Sequence, residues 1–222
     1  GLADFDIRRG DTFREPKFTQ QGRLKKFDVV IANPPFSLQN WGAGVWENDR
    51  WDRAICAVPP AKNGDFAWIQ HMIASMKEDT GRVGVVMPHG VLFRGGEEKA
   101  CRQRFIKDGI LEAVVGLPAG LFYGTGIPAC VLVINKKGAS QRKSILFINA
   151  DREYKEGKNQ NSLRPEDIEK ITHVFRNHLE VDKYSRDVSC AELEKEDFNL
   201  NIRRYVDNSP PPEPHDVRAH LH

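Results

Sequence analysis

The apolar run Phe27-Asp28-Val29-Val30-Ile31-Ala32, closed by Asn33-Pro34-Pro35-Phe36, constrains this chain more than any other segment. A short continuous apolar run reads as a strand buried in a parallel sheet, and open α/β sheets place their sites beyond the carboxyl ends of such strands. The spacing predicts a central strand at Val29 to Ala32 with a functional turn behind it. Pro35 pushes Pro34 toward an extended conformation, and neither proline has an N–H, so the turn is stiff and presents acceptors. Asn33 adds a side-chain acceptor and Phe36 an aromatic face.

That combination suits an extruded nucleobase carrying an exocyclic amino group. Adenine N6 shares its lone pair with the ring and attacks carbon poorly. Hydrogen bonds to the Asn33 side-chain oxygen and the Pro34 carbonyl would localise the pair and aim it at an activated methyl group, which is electrostatic preorganisation. Stacking on an aromatic ring contributes roughly 1–3 kcal/mol per base, comparable with the few kcal/mol needed to extrude one. No strong general base is required, because the proton can leave after the methyl has arrived. The competing reading is a plain strand-ending turn, which Asn and Pro commonly make.

Further along, short apolar runs alternate with helical patterns, the mark of βαβ units and a parallel sheet. Asp65 to Lys77 carries Phe66, Ile69, Ile73 and Met76 at helical spacing. A strand at Val83 to Met87 ends at Pro88, a helix over Glu97 to Asp108 turns Phe105 and Ile106 inward, and a strand follows at Leu111 to Leu117. Ala129 to Asn135 and Ser144 to Ile148 flank Lys136-Lys137-Gly138, which reads as a hairpin turn closing the sheet edge. In Phe122-Tyr123-Gly124-Thr125-Gly126, glycines beyond a strand let a ring approach a ligand closely, so Phe122 is a second candidate stacking ring. Its alternative is packing. Gly124-Thr125-Gly126 is too short for a phosphate loop, and His89 reads as a polar strand-end residue rather than a base.

The segment from Ser37 to Gly64 carries Trp41, Trp46 and Trp51 among turn residues. Long segments of this kind are usually functional, and the tryptophans argue against full disorder, so a lid, a DNA contact and simple packing all stay open. Beyond Asp151 the chain turns polar, with a helix over Arg164 to Leu179 begun by Pro165-Glu166. Three parts are expected: residues 1–150 as a catalytic part, 151–208 as a polar helical appendage, and 209–222 as a linker and tail. Ser209-Pro210-Pro211-Pro212-Glu213-Pro214 is a stiff extended linker by composition, and His215, His220 and His222 read as a polar tail rather than a metal site. No metal is expected.

With 222 residues, 40% hydrophobic and 29% charged, the chain can bury one sizeable core. No apolar stretch is long enough to span a membrane and no leader pattern opens the chain, so the cytoplasm is the expected compartment. Cys56, Cys101, Cys130 and Cys190 form no C-x-x-C pair, which predicts reduced, mostly buried thiols. A net charge of +2 advertises no nucleic-acid surface by itself; DNA contact must be local or shared with partners. The local candidates are Arg23-Lys25-Lys26, Lys99-Arg102-Arg104, and Lys136-Lys137 with Arg142-Lys143, each also readable as a solvated face.

Asn33 to Phe36 behind its strand resembles the catalytic motif of amino-methyltransferases that use S-adenosylmethionine. Longer stretches resemble one family, the modification (DNA-methylating) subunits of type I restriction-modification systems. These are Gly10-Asp11-Thr12, Gly64-Asp65-Phe66-Ala67-Trp68-Ile69-Gln70-His71-Met72, the run Gly81 to Gly95, Leu121 to Pro128, Gly157-Lys158-Asn159-Gln160-Asn161, and Asn199 to Val206. The resemblance covers nearly the whole chain.

It implies a Rossmann-like, S-adenosylmethionine-dependent α/β fold, present in part, with a mostly parallel sheet and an antiparallel strand near its end. It implies N6-adenine methylation of DNA, with Asn33, Pro34, Pro35 and Phe36 catalytic and Phe36 and Phe122 stacking on the flipped base. Asp11 falls near the adenine of the cofactor and Phe66 packs against it; the alternatives are an Asx turn or helix cap for Asp11 and a core position for Phe66. Implied partners are DNA, a specificity subunit, a restriction subunit and a second methylation subunit. The family's Gly-rich cofactor loop and preceding helical region have no counterpart here, so a carboxyl-terminal fragment with an incomplete cofactor site is expected. Other expectations in competition are methylation of a protein glutamine or another amino group, and a non-catalytic assembly module.

Overall fold

The computed structural model describes residues 4–123 and 125–210; the Pro-rich run beyond Pro210, the histidines His215, His220 and His222, and Gly124 lie outside the described residues. The first elements are β1 (Thr19–Gln20) and β2 (Arg23–Leu24), a hairpin around Gln21 and Gly22. Both turn residues have positive φ, 52° and 76°, the turn geometry that follows strand twist.

There follow β3 (Val29–Ala32), α1 (Ala43–Trp46), α2 (Asp65–Ser75), β4 (Arg82–Pro88), α3 (Glu97–Lys107), β5 (Leu111–Gly116), β6 (Ala129–Asn135), β7 (Ser144–Asn149), α4 (Pro165–Asn177), β8 (Ser185–Ser189) and α5 (Cys190–Lys195). Six of the strands form one sheet in the order β3-β4-β6-β5-β7-β8. The apolar periodicity that predicts α2 and α3 is realised on one face of this sheet. Phe66, Ile69, Ile73 and Met76 of the α2 region and Phe105 and Ile106 of α3 are each at most 3% exposed. They share one cluster with Val83, Val85 and Met87 of β4. On the other face α4 lays Val174 against Ala113, Val115, Leu146 and Ile148. Its start is a capping box, in which Asp167 accepts from the Arg164 backbone, with Pro165 in the first turn.

The expectation of a mostly parallel sheet is corrected to a mixed one. β3 with β4 and β5 with β7 are parallel, whereas β6 runs antiparallel to both β4 and β5, and β8 runs antiparallel to β7. The antiparallel β6 is therefore an interior strand. The hairpin expected between β6 and β7 does not form, because β5 lies between them. The segment 136–143 instead steps over β5, and two strand spacings are only about 10 Å. Gly138 at φ +71° opens a 3-10 turn at Ala139–Gln141, and the Arg142 guanidinium donates to the carbonyls of Gly109, Asn135 and Lys137, which pins the crossing down. β3, expected to be central, is an edge strand among the described residues, with Val29 and Ile31 60% and 78% exposed.

Residues 151–208, expected to be a polar helical appendage, are built into the sheet and core. β8 adds a strand against β7, and Val188, Leu193, Phe198, Leu200, Ile202 and Tyr205 join the cluster under α2 and α3. Buried Arg102 of α3 anchors that return by donating to the Phe198 and Val91 carbonyls. Polar composition misled here because the apolar residues are few but most of them are turned inward, Ile168 and Val181 being exceptions.

The expectation of four reduced thiols is also corrected. Cys56 and Cys101 form a disulfide with Cα atoms 5.2 Å apart, tying the segment before α2 to α3, while Cys130 and Cys190 are free. The partners are 45 residues apart in sequence, so no local spacing announces the bond. Among the described residues no helix is long and apolar enough to cross a membrane.

Candidate active site

β3 delivers the turn Asn33 to Phe36 at its carboxyl end. The ladder pairs Ala32 with Val85 of β4, so the residue before Asn33 is fixed by the sheet. Pro34 is buried, Asn33 and Pro35 are exposed, and Phe36 is half-buried. The Pro34 carbonyl accepts no backbone hydrogen bond among the described residues, which leaves it free to take a donor. A groove of about 540 Å³ runs beside β3, lined by Gly10, Thr12, Lys17, Phe27, Val30 and His71 among others. None of Asn33, Pro34, Pro35 or Phe36 lines it.

The structure brings Phe36 and Phe122 together. Their ring centroids are 5.9 Å apart and their planes 76° apart, an edge-to-face pair. Phe122 sits in the connection from β5 to β6, beside Tyr123, which is 85% exposed. His89, just past β4, has its Nε2 3.0 Å from the Ala129 carbonyl oxygen, and burial lowers its pKa. It is placed as a structural strand-end residue.

The other two expected site residues are engaged in their own surroundings. Asp11 makes a local turn: one carboxylate oxygen accepts from the Phe13 and Arg14 amides at 3.0 and 2.9 Å, and the other pairs with the Arg14 guanidinium at 2.7 Å. The backbone hydrogen bond from Arg14, partly offset by burial, lowers its pKa. Phe66 is 1% exposed and stacks on Phe105 at 6.3 Å, inside the core.

Two charged clusters were not singled out by the sequence. Arg53 is fully buried; it pairs with Asp49 at 2.6 Å, donates to the Phe13 and Thr12 carbonyls, and lies over the Trp46 ring at 4.3 Å. Trp41 and Trp46 are 2% and 1% exposed around Phe13, so packing is the reading realised for these two tryptophans. The second cluster lies directly behind the turn. The Ser37 amide donates to Asp65 Oδ1 at 2.7 Å, Arg94 donates to Asp65 Oδ2 at 2.5 Å, and Arg94 Nε donates to Glu98 at 2.6 Å. Gly64-Asp65-Phe66 and Phe93-Arg94-Gly95 were both visible as similar stretches, but nothing in their spacing pairs them.

Most residues of the candidate basic clusters are occupied elsewhere. Lys26 and Lys136 pair with Glu78, Lys99 with Asp197 and Arg104 with Asp108, while Arg102 and Arg142 are bound to backbone carbonyls.

A family model described as N-6 DNA Methylase matches residues 2–213. The type I restriction enzyme MjaVIII methylase subunit of Methanocaldococcus jannaschii is 37% identical, covering 97% of this chain and 38% of that protein. The MjaVII methylase subunit of the same organism is 35% identical, with 91% and 36% covered. Among solved structures, the type I restriction-modification methyltransferase subunit from Streptococcus thermophilus is 37% identical at a TM-score of 0.79, covering 89% of this chain and 41% of that one. A modification subunit of a type I restriction enzyme from Vibrio vulnificus shares the fold at a TM-score of 0.66 with 20% identity. The chain thus spans less than half the length of the curated relatives it matches.

Proposed function

The chain belongs to the N-6 DNA methylase family, and we propose that it forms part of a DNA adenine-N6 methyltransferase subunit of a type I restriction-modification system, with the turn Asn33 to Phe36 as its amino-group site. The observation that carries this reading is the turn itself. At the end of β3 it places an exposed Asn33, an unpartnered Pro34 carbonyl and the Phe36 ring together, with Phe122 against that ring.

The described residues fit the base side of such a site better than the cofactor side. Asn33 and Pro34 offer two acceptors, whereas both oxygens of Asp11 are committed to its own turn and the Phe66 ring is covered. S-adenosyl-L-methionine supplies an activated methyl group when bound. Asp11 would be the cofactor-facing residue of this chain, and Phe66 supports that side from the core. In our reading the Asn33 side-chain oxygen and the Pro34 carbonyl accept from the adenine amino group and hold its lone pair toward the incoming carbon. Phe36 stacks on the flipped base, and the base takes the place now filled by the edge of Phe122, which becomes its second contact.

On this proposal the fold is the later part of a Rossmann-like methyltransferase sheet. Residues 1–150 carry the catalytic groups and 151–208 brace them. The partners are DNA, a specificity subunit, a second methylation subunit and a restriction subunit, in the cytoplasm. Radiolabelled methyl transfer by the full-length subunit with its partners tests the reading. Label in adenine of DNA is the expected result, label in protein moves the function to another amino group, and no label with intact complex formation leaves an assembly module.

A further inference from the structure

We propose that Asp65 and Arg94 are positioning residues that clamp the Asn33 to Phe36 turn from behind, so that the acceptors and the stacking ring hold one geometry. This rests on reading that turn as the amino-group site.

The turn has two ends. Upstream it is held by the β3 ladder through Ala32 and Val85. Downstream, Ser37 adopts φ +50°, a left-handed conformation that costs a non-glycine residue about 1–2 kcal/mol. Something must hold Ser37 there. Its N–H donates to Asp65 Oδ1 at 2.7 Å, and Asp65 is the first residue of α2, whose N-terminal dipole favours a carboxylate. The Asp65 side chain is 1% exposed, so its charge requires a partner, and Arg94 supplies it at 2.5 Å. Arg94 is held in turn by Glu98 in the first turn of α3, at 2.6 Å. Burial raises the Glu98 pKa against the opposing pull of Arg94.

Gly90 completes the arrangement. A Cβ at this position would collide with the Arg94 guanidinium, so glycine leaves the room in which Arg94 reaches back to Asp65. The clamp thus joins α2, α3 and the connection after β4 to one backbone amide next to Phe36. Between its two anchors the turn contains Pro34 and Pro35, which cannot absorb slack. Loss of the downstream anchor is therefore transmitted to Phe36 and Asn33.

The test uses the full-length subunit in its complex, comparing wild type with Asp65→Asn, Arg94→Lys and Gly90→Ala. Asp65→Asn keeps an acceptor but removes the charge pair; Arg94→Lys keeps the charge but cannot bridge Asp65 and Glu98 in a planar fork. Three quantities are read: single-turnover methyl transfer at saturating cofactor and DNA, cofactor affinity, and amide exchange of the peptide covering 33–38. The expected result for Arg94→Lys and Gly90→Ala is transfer slowed roughly 10- to 100-fold, the scale on which misplacing reacting groups acts. Exchange at 33–38 should rise with cofactor affinity unchanged, while loosening the partner of the buried Asp65 carboxylate lowers the melting temperature; Asp65→Asn should fall between these variants and wild type. Faster exchange with an unchanged rate overturns the proposal, and so does a rate loss that tracks cofactor affinity or that comes without faster exchange at 33–38. A wild-type complex that methylates no DNA overturns the functional reading instead, and the exchange measurement alone then decides whether the clamp exists.

Discussion

At the scale of single residues, Asn33 and Phe36 make separable predictions because one supplies an acceptor and the other a surface. Asn33 is exposed at the strand end, so truncating it leaves the fold intact. If its contact contributes about 2.7–4 kcal/mol in the transition state, by analogy with an oxyanion-hole donor, Asn33→Ala slows methyl transfer roughly 100- to 1,000-fold with cofactor affinity unchanged. Asn33→Asp keeps acceptor oxygens but adds a charge that desolvation disfavours, so its activity should be intermediate and depend on pH. A fully active Asn33→Ala enzyme would falsify the amino-group mechanism. For Phe36, Ala should weaken the flipped-base state while Trp preserves part of it, since a π-face remains. Fluorescence of a base analogue at the target position reports this, and equal signals for Phe, Trp and Ala would remove the ring from the site. The place of both residues, in a turn at the end of β3, was legible in the sequence, because the prolines and the apolar run are local features. Ser37 was not, because its left-handed φ is sustained by Asp65 and not by its neighbours in sequence.

At the scale of elements, α2 carries a titration that can be measured without any knowledge of activity. His71 sits beside Arg53, and burial, reinforced by the Arg53 charge, lowers its pKa from 6.5 to about 4. The unfolded chain therefore binds a proton between pH 6.5 and 4 that the folded chain refuses. The resulting stability is fully present above pH 6.5 and is lost as pH falls toward 4, about 3 kcal/mol in all. Urea unfolding of His71→Gln should show a shallower loss of stability than wild type across that window. Identical slopes would mean that the imidazole is solvated. The extents of α2, β4, α3 and β7 were close to those read from periodicity, since the 3.6- and 2-residue repeats belong to each element alone. Strand partners were another matter: the same apolar alternation in β6 would serve beside β7 or between β4 and β5. Only the crossing over β5, pinned by Arg142, selects the second.

At the scale of the whole molecule, the proposed function makes the described residues one side of a methyl-transfer site. Asp11 is engaged with Phe13 and Arg14, and Phe66 is covered by the core. Residues 1–222 alone are therefore expected to bind S-adenosylmethionine very weakly. Calorimetric titration decides it, and micromolar binding would place the cofactor pocket within these residues. What the sequence determined by itself was the α/β class, the elements β3, α2, β4, α3, β5, β6, β7 and α4, and the acceptor-rich turn after Val29 to Ala32. Each follows from stereochemistry and hydrophobic spacing within a few residues. The tertiary structure alone decided that β6 enters the sheet interior, that residues 151–208 join the core, and that Cys56 meets Cys101. It alone brought Arg53 to Phe13 and Asp65 to Ser37. These pairs lie far apart along the chain, and their energies depend on separation in space and shared burial, neither of which a one-dimensional pattern contains.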